Sequence, residues 1–444
     1  MRLVATGGSV FDGSKFLDAD VAIEDGRIVE VANSIRPISG DTVLDCRDRV
    51  VARGFVDLHT HLRWPGDGEL DQPEGISAQA LAGGFCTVVA MANTFEPVDS
   101  PVRFVRAGER YRDLGVRVIV ASTITKGREG SEPVDYAAMA ESGAMFFTDD
   151  GSGVQRSDLM LQALAASARY GFVVAQHAQC NDLFGEAVLN QSVVAERLGL
   201  PGAPEVAESA MVARDLELVK ATAGILHVMH VSARETVGLV RQARREGMRV
   251  SMEVAPHHLL LTDEAAAGAD TRYKVNPPLR SNATRMALVN ALARGEFDAV
   301  ATDHAPHPPF RKEQPWPQAA FGMVGIAEAF SVAWTALLGL PDGPVPTAFA
   351  DGSKRLPLDR FRGELLGRLI WSLTAGPSAV LGETCTLELG DPGDLVILDP
   401  NAAASEVPTR LYRSQNSPYG GIDLSGSVVG VTRHGSVVVD RGLE

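Results

Sequence analysis

Between about residues 53 and 380 the sequence alternates short apolar runs with stretches of helical pattern, and this alternation constrains the fold more than any other feature. Examples of the apolar runs are residues 85–91, 116–121, 172–177 and 297–302. Strands that alternate with helices in this way form β-α-β units and a parallel sheet. The runs are numerous enough for eight strands, so we predict an α/β fold with a (β/α)8 TIM-type barrel.

Both ends of the chain have a different pattern, with short alternating strands separated by turns. Strand-like segments are residues 21–23, 27–30, 42–45, 394–398 and 435–439. We predict that the two ends form one flanking β-sandwich domain, from residues 1–52 and 385–444, beside a barrel of residues 53–384. The segment 341–363, rich in Pro, Gly and charge, is predicted to be a surface insertion.

The composition is that of a globular protein and disfavours several classes of partner. Lys plus Arg number 41 against 56 Asp plus Glu, and the net charge of −15 disfavours nucleic acid and anionic lipid. No apolar run reaches the ~18 residues of a membrane span. The four cysteines show no CxxC pairing and the N-terminal residues lack a signal-peptide pattern. We therefore predict a cytoplasmic protein with a small-molecule substrate.

A His-x-His motif, His59 and His61, stands where an apolar run opens into a loop at Pro65 and Gly66. Side chains at i and i+2 of an extended strand share a face, so the two imidazoles can bind one ion. Arg63 continues along the same face, and its guanidinium is suited to an anionic substrate. The motif predicts a metal site beside a residue that binds an anionic substrate.

Other metal-competent side chains stand at the ends of further apolar runs, where a barrel of this type has its chemistry. Four of them join His59 and His61 as candidate ligands: Asp150, His177, His230 and Asp303. Four imidazoles and two carboxylates suit Zn2+ or a similar divalent ion, and one carboxylate could bridge two ions ~3.5–4 Å apart. Cys180 is predicted to have no role in binding the metal. Five further histidines are predicted to be structural or exposed: His227, His257, His258, His304 and His434.

Several longer strings resemble dihydroorotases of the long bacterial type, in the amidohydrolase superfamily. They are residues 59–66 (HTHLRWPG), 90–94 (AMANT), 147–151 (FTDDG), 253–261 (EVAPHHLLL), 275–280 (VNPPLR) and 301–307 (ATDHAPH). Residues 414–419 also resemble that family's C-terminal β domain, so the resemblance spans nearly the whole chain. It implies the reversible interconversion of dihydroorotate and N-carbamoyl-L-aspartate in de novo pyrimidine biosynthesis.

The resemblance also implies a role for each candidate residue. Six side chains would hold one or two Zn2+ ions: His59 and His61 at one ion, His177 and His230 at the other, Asp150 as the bridge, and Asp303. Asp303 would also be the catalytic acid and base. Four residues would bind the substrate: Arg63, Asn93 and His307 at its carboxylate, and Asn276 at its ring.

The chain departs from the family pattern at a few positions. Trp64 stands where the family usually has Glu, and Gln179 and Cys180 stand where it often has Glu and Asp. Residues 308–313 also differ from the family's substrate loop. None of these residues is a predicted ligand. Asp150 occupies the position at which dihydropyrimidinases and hydantoinases have a lysine that can be carboxylated, which favours dihydroorotase over those enzymes.

Two alternatives remain open. The first is a sister cyclic-amide hydrolase of the dihydropyrimidinase, hydantoinase or allantoinase type. The second is a non-catalytic scaffold that supports aspartate carbamoyltransferase, although such copies lack metal ligands and all six positions are intact here. Formation of a homo-oligomer and association with aspartate carbamoyltransferase are further expectations that the sequence leaves open.

Overall fold

The structure, a computed structural model, describes residues 2–443 except 67–71, 342–348, 350–352, 406–413 and 415. Its strands are β1 (Arg2–Thr6), β2 (Ser9–Phe11), β3 (Phe16–Asp18), β4 (Asp20–Glu24), β5 (Arg27–Ala32), β6 (Thr42–Asp45), β7 (Val50–Arg53), β8 (Phe55–Thr60), β9 (Phe85–Ala90), β10 (Arg117–Val120), β11 (Phe146–Thr148), β12 (Val173–Gln176), β13 (Leu189–Asn190), β14 (Gly202–Ala203), β15 (Leu226–Val228), β16 (Val250–Val254), β17 (Ala299–Val300), β18 (Leu395–Ala403), β19 (Ser425–Arg433) and β20 (Ser436–Asp440). Its α-helices are α1 (Pro73–Ala82), α2 (Pro101–Tyr111), α3 (Tyr136–Glu141), α4 (Ser157–Tyr170), α5 (Asn181–Phe184), α6 (Val193–Leu198), α7 (Val206–Thr222), α8 (Arg234–Arg245), α9 (Pro256–Leu260), α10 (Asn282–Ala293), α11 (Pro309–Lys312), α12 (Ala329–Leu338), α13 (Arg360–Leu373) and α14 (Ala375–Val380).

Eight parallel strands form the barrel. They are arranged in two sheets, with the strand orders β10-β9-β8 and β11-β12-β15-β16-β17. Parallel bridges from Ser122 to Phe147 and from Thr60 to His304 join the sheets at their two seams. Strand β8 is buried along its whole length, as expected for a parallel strand with packed side chains on both faces. The predicted barrel is confirmed.

The two ends of the chain form the second domain, a sandwich of two sheets. One sheet has the order β5-β4-β1-β6, and the other, β20-β19-β18-β7-β2-β3, combines strands from both ends. Strand β18 pairs antiparallel with β7 and joins the C-terminal segment to the N-terminal one. Leu3 and Leu395 are buried in the apolar core of this domain. The predicted sandwich is confirmed, and the division of the chain at 52/53 and 384/385 stays a prediction.

The predicted insertion at 341–363 is described only in part, because residues 342–348 and 350–352 lie outside the described residues. The described part is not all surface. Phe349 is buried, its ring centroid lies 5.5 Å from that of Phe11, and helix α13 begins within the segment at Arg360. The prediction of a surface segment is wrong there, since apolar side chains connect it to the core. No helix of the described ranges is long and apolar enough to cross a membrane.

Candidate metal centre and active site

All six predicted ligands lie at the carboxyl ends of barrel strands. His59 is in β8 and His61 directly follows that strand. The other four follow β11, β12, β15 and β17, in this order: Asp150, His177, His230 and Asp303. The carboxyl ends of parallel barrel strands meet at one rim, so residues far apart in the sequence converge there. All six side chains are buried.

Asp150 lies between the four imidazoles. Its Oδ1 atom is 3.4 Å from His59 Nε2, 3.5 Å from His177 Nδ1 and 3.7 Å from His230 Nε2. Its Oδ2 atom is 3.6 Å from His61 Nε2. One carboxylate therefore faces all four rings, which is the arrangement that a bridging ligand requires.

Asp303 lies on the side of His59 and His61. Its Oδ1 atom is 3.2 Å from His61 Nε2 and 3.5 Å from His59 Nε2. Backbone strain is found at this site, because Asp303 has a φ of 47° and His230 a φ of 31°, both in the region that favours glycine. Strained residues of this kind are characteristic of functional sites.

The donor atoms fit a divalent metal ion. Nε2 of His59 is buried and has no hydrogen-bond partner among the described residues. Two triads have ligand atoms that all lie within 4.8 Å of one another: His59, His61 and Asp303, and His59, Asp150 and His230. Imidazole nitrogen and carboxylate oxygen are ligands of Zn2+ and related ions. The six residues therefore could hold one or two such ions.

The same contacts set the charges of the two carboxyl groups. Burial by itself raises the pKa of Asp150, but the imidazoles of His59, His177 and His230 hold that pKa well below its usual value. Burial also raises the pKa of Asp303, but the neighbouring His59 and His61 have the larger, opposite effect, so the pKa is lowered overall. Both groups are therefore carboxylates at neutral pH, available as anionic ligands and, at Asp303, as a proton acceptor.

Two buried carboxylates beside the centre are not among the predicted residues. Glu253 in β16 lies 3.1 Å from His59 Nδ1 and 3.0 Å from His227 Nε2. Asp57 in β8 accepts hydrogen bonds from the backbone N–H groups of His59 (3.1 Å) and Thr302 (2.8 Å). Asp57 thereby connects β8 to the end of β17. The sequence signal is an acidic residue within an apolar run, because a buried charge needs partners.

Arg63 and His307, which are both predicted to bind the substrate carboxylate, lie close together. Nη2 of Arg63 lies 3.4 Å from Nε2 of His307, and the latter also donates to the carbonyl of Phe321 at 2.7 Å. In the part of the chain that is described, Arg63 forms no ion pair, and its Nε is buried without a hydrogen-bond partner. Arg63 has a φ of 59°, another left-handed backbone conformation at the rim. Burial lowers the pKa of Arg63 to about 10, and the carboxylates of Asp150 and Asp303 oppose this effect without forming an ion pair with Arg63 among the described residues.

The two predicted asparagines contact the ligands themselves. Oδ1 of Asn93 lies 2.9 Å from His61 Nδ1, and its Nδ2 donates to Asp150 Oδ2 at 2.9 Å. Nδ2 of Asn276 lies 3.2 Å from His177 Nε2. Both asparagines therefore lie at the cluster of predicted ligands, and their contact with substrate stays a prediction.

The residues that depart from the family pattern lie at the margin of the site. Gln179 accepts a hydrogen bond from Asn276 at 2.8 Å. The ring of Trp64 lies 5.3 Å from the guanidinium carbon of Arg106. Cys180 is half-buried and directly precedes helix α5. None of these side chains occupies a predicted ligand position.

The remaining histidines have other partners. His258 Nε2 lies 3.0 Å from the carbonyl of Pro277, and His304 Nδ1 accepts from the N–H of Gly325 at 3.2 Å. His257 is buried beside His258, and the ring centroids are 4.4 Å apart. The side chain of His434 is 68% exposed. His227 differs from these four because it contacts Glu253, which in turn contacts a predicted ligand.

The segment that follows His307 is fixed by two buried lysines that the sequence analysis did not single out. Lys274 Nζ donates to three backbone carbonyls within residues 316–319. Lys312 Nζ donates to three more, among them the carbonyl of Gly322 at 2.9 Å. Four of these hydrogen bonds join the loop to Lys274, and the two from Lys312 to Ala320 and Gly322 lie within the loop.

Comparisons with known proteins agree with this architecture. The family model described as Dihydro-orotase-like matches residues 48–236. A dihydroorotase of Geobacillus sp. (strain WCH70) is 36% identical over 449 residues, which cover 100% of both chains. A dihydroorotase of Anaeromyxobacter dehalogenans (strain 2CP-C) is 38% identical and covers 99% of this chain and 98% of that one. Among solved structures, the L-hydantoinase (dihydropyrimidinase) of Arthrobacter aurescens matches with a TM-score of 0.82 and 23% identity, over 99% of this chain and 96% of that one.

The fold and the rim of histidines and carboxylates define an enzyme of the amidohydrolase superfamily, a class whose activity depends on metal. The two dihydroorotases just described identify the family within this class, because they match 99–100% of this chain. The chain belongs to the dihydroorotase family.

Proposed function

We propose that this chain catalyses the reversible hydrolysis of dihydroorotate to N-carbamoyl-L-aspartate, a step of de novo pyrimidine biosynthesis. The observation that carries this proposal is Arg63, whose guanidinium lies beside the metal-binding cluster and forms no ion pair among the described residues. Dihydroorotate has a carboxylate that would pair with it. The rings of hydantoin and dihydrouracil have none and would leave the arginine unpaired.

The cofactor that the donor set favours is Zn2+, as one ion or as two with Asp150 between them. His59 and His61 would hold the first ion together with Asp303, and His177 and His230 would hold the second. When bound, the metal would supply Lewis-acid chemistry, which polarises the ring carbonyl and lowers the pKa of the attacking water.

Asp303 is the proposed acid and base. Its carboxylate takes a proton from water as the water oxygen attacks the carbon of the ring amide. When the ring C–N bond breaks, the same side chain donates this proton to the departing nitrogen. The reverse sequence closes the ring, so one group serves both directions.

Arg63 and His307 would position the substrate. The planar guanidinium of Arg63 matches a carboxylate in two parallel hydrogen bonds, which fixes the orientation of the ring. Asn93 would contact the substrate from the side of His61, and Asn276 from the side of His177. Positioning of this kind can contribute several kcal/mol to catalysis.

A substrate comparison tests the proposal. The purified protein is assayed with dihydroorotate, dihydrouracil and allantoin, each with and without a chelator. We expect turnover of dihydroorotate alone, and loss of that turnover with the chelator. Turnover of either other ring would indicate a sister hydrolase, and a protein without metal or turnover would indicate a scaffold. Homo-oligomer formation, association with aspartate carbamoyltransferase and a cytoplasmic location stay predictions.

A further inference from the structure

A chain of hydrogen bonds runs through the barrel interior from His59 to Ser251. Glu253 Oε1 lies 3.1 Å from His59 Nδ1, and Glu253 Oε2 lies 3.0 Å from His227 Nε2. His227 Nδ1 lies 2.8 Å from Ser251 Oγ. The residues His59, Glu253 and His227 are fully buried, each with 0% exposure. These hydrogen bonds therefore connect a predicted ligand to the barrel interior on the side away from the rim.

The donors and acceptors of this chain are fixed by its carboxylate. An ionised carboxylate only accepts hydrogen bonds, so both imidazoles that face Glu253 must donate to it. When His59 is neutral, as a metal ligand must be, its proton is then on Nδ1 and its Nε2 has a free lone pair. In the same way, neutral His227 carries its proton on Nε2 and accepts from the hydroxyl of Ser251.

The free nitrogen of His59 is the atom that faces the centre. It lies 3.4 Å from Asp150 Oδ1 and 3.5 Å from Asp303 Oδ1. It is buried and has no hydrogen-bond partner in the described part of the chain. The backbone N–H of His230 also donates to Glu253 Oε1 at 3.2 Å, so the same carboxylate contacts two of the strands that carry ligands.

We propose that Glu253, supported by His227, is a positioning residue that fixes the tautomer of His59 and presents its Nε2 to the metal. This inference rests on the proposed metal-dependent function. The opposite tautomer would place two acceptors opposite each other in a buried site and direct an N–H toward the metal. Loss of such a partner typically lowers metal affinity ~10–100-fold.

The substitution Glu253→Gln separates this role from packing. Glutamine has nearly the same shape, but its amide NH2 can donate to His59 Nδ1, which allows the proton to move to Nε2. His227→Gln leaves the Glu253 carboxylate in place and removes the imidazole that links its Oε2 to Ser251. Glu364→Gln is the matched control, because Glu364 is also buried (1% exposed) but lies in the outer helix α13, where it accepts from the backbone N–H of Phe349.

The experiment uses Co2+ as the probe. Its dissociation constant is measured by competition with a chelator, and its visible absorption spectrum reports the ligand geometry. We expect Glu253→Gln to raise the dissociation constant ~10–100-fold and to change the spectrum. His227→Gln should act in the same direction with a smaller effect, and Glu364→Gln should resemble the wild-type protein in both readouts.

The outcomes separate this inference from the proposed function. A wild-type protein that binds no Co2+ would overturn both. A wild-type protein that binds Co2+ without hydrolysing dihydroorotate would overturn the proposed function alone. Unchanged Co2+ affinity and spectrum in Glu253→Gln would overturn the inference alone. Should that variant fail to fold by circular dichroism, His227→Gln decides, and an unchanged dissociation constant there overturns the inference.

Discussion

Nδ1 of His177 and Nε2 of His230 face each other at 2.9 Å, and both lie within 3.7 Å of the same oxygen, Oδ1 of Asp150. Two neutral imidazoles at this distance can share only one proton, whereas a cation in contact with both rings and the carboxylate satisfies all three groups. Metal binding is therefore expected to stabilise the folded protein as well as to support the reaction.

Removal of metal should lower the unfolding temperature and abolish turnover. Binding to the folded state alone adds about 2.7 kcal/mol to the free energy of unfolding at a metal concentration of ~100 times the dissociation constant. Thermal unfolding of chelator-treated protein with added Zn2+ or added Mg2+ measures this, and Zn2+ should give the larger increase because nitrogen ligands favour it. Equal unfolding temperatures with and without Zn2+ would contradict the assignment.

Asp303→Asn should lower kcat by at least ~10²-fold, because the amide can neither accept the proton of water nor return it. The metal content of the purified variant, measured by elemental analysis, should stay close to that of the wild-type protein, because the other five predicted ligands and an amide oxygen at position 303 remain. Asp158→Asn, at an exposed position of helix α4, is the control and should leave kcat unchanged. Near-normal turnover of the Asp303 variant would exclude it as the acid and base.

Arg63→Lys should mainly raise KM for dihydroorotate, by about 10-fold, because an ammonium group cannot reproduce the two parallel hydrogen bonds of a guanidinium. Steady-state kinetics measure this. Arg156→Lys is the control, since Arg156 forms an exposed pair with Asp158. An unchanged KM in the Arg63 variant would argue against the carboxylate contact.

Asp215 should make stability depend on pH. Burial raises its pKa to about 6, and Arg214 and Gln176 offset only part of this effect. Between pH ~4 and pH ~6, Asp215 is therefore protonated in the folded state but ionised in the unfolded state. The contribution of this group to the free energy of unfolding is present below this range and is lost as the pH rises through it.

The substitution Asp215→Asn removes that dependence. We compare the free energy of unfolding of the variant with that of the wild-type protein. This difference should favour the variant more at pH ~7.5 than at pH ~5, by on the order of 1 kcal/mol. Urea unfolding at the two pH values measures the difference. Glu217→Gln, at an exposed position of the same helix, should show no such change. If the variant and the wild-type protein differ in stability by the same amount at both pH values, Asp215 does not have the raised pKa.

Lys312→Met should loosen the loop of residues 309–322. The substitution removes three hydrogen bonds, a loss of about 3 kcal/mol in total at about 1 kcal/mol each, although the carbonyls of Lys274 and Gly322 each keep a second donor. Limited proteolysis should cut the variant within this loop faster than the wild-type protein, and KM should rise because the loop contacts His307. Lys126→Met, at an exposed lysine, is the control. Equal cleavage rates would show that the lysine does not hold the loop.

The sequence by itself determined the barrel, the sandwich from both chain ends and the set of candidate ligands. These follow from local patterns, because an apolar run followed by a polar residue predicts both a strand and the identity of the side chain at its end. The rule that parallel barrel strands end at one rim then brings His59 and Asp303 together without any knowledge of distances. The segment 341–363 was predicted less well, because its Pro and Gly content does not reveal that Phe349 is buried.

Only the tertiary structure decided which atoms meet. The contact of Glu253 with His59 joins residues 194 positions apart, and a single sequence contains no information on such a distance. The same holds for Asn93, whose amide contacts two predicted ligands, and for the ring nitrogen that each histidine directs to the centre. Side-chain partners depend on the packing of neighbouring strands to within about an ångström, and that packing exists only in the folded chain.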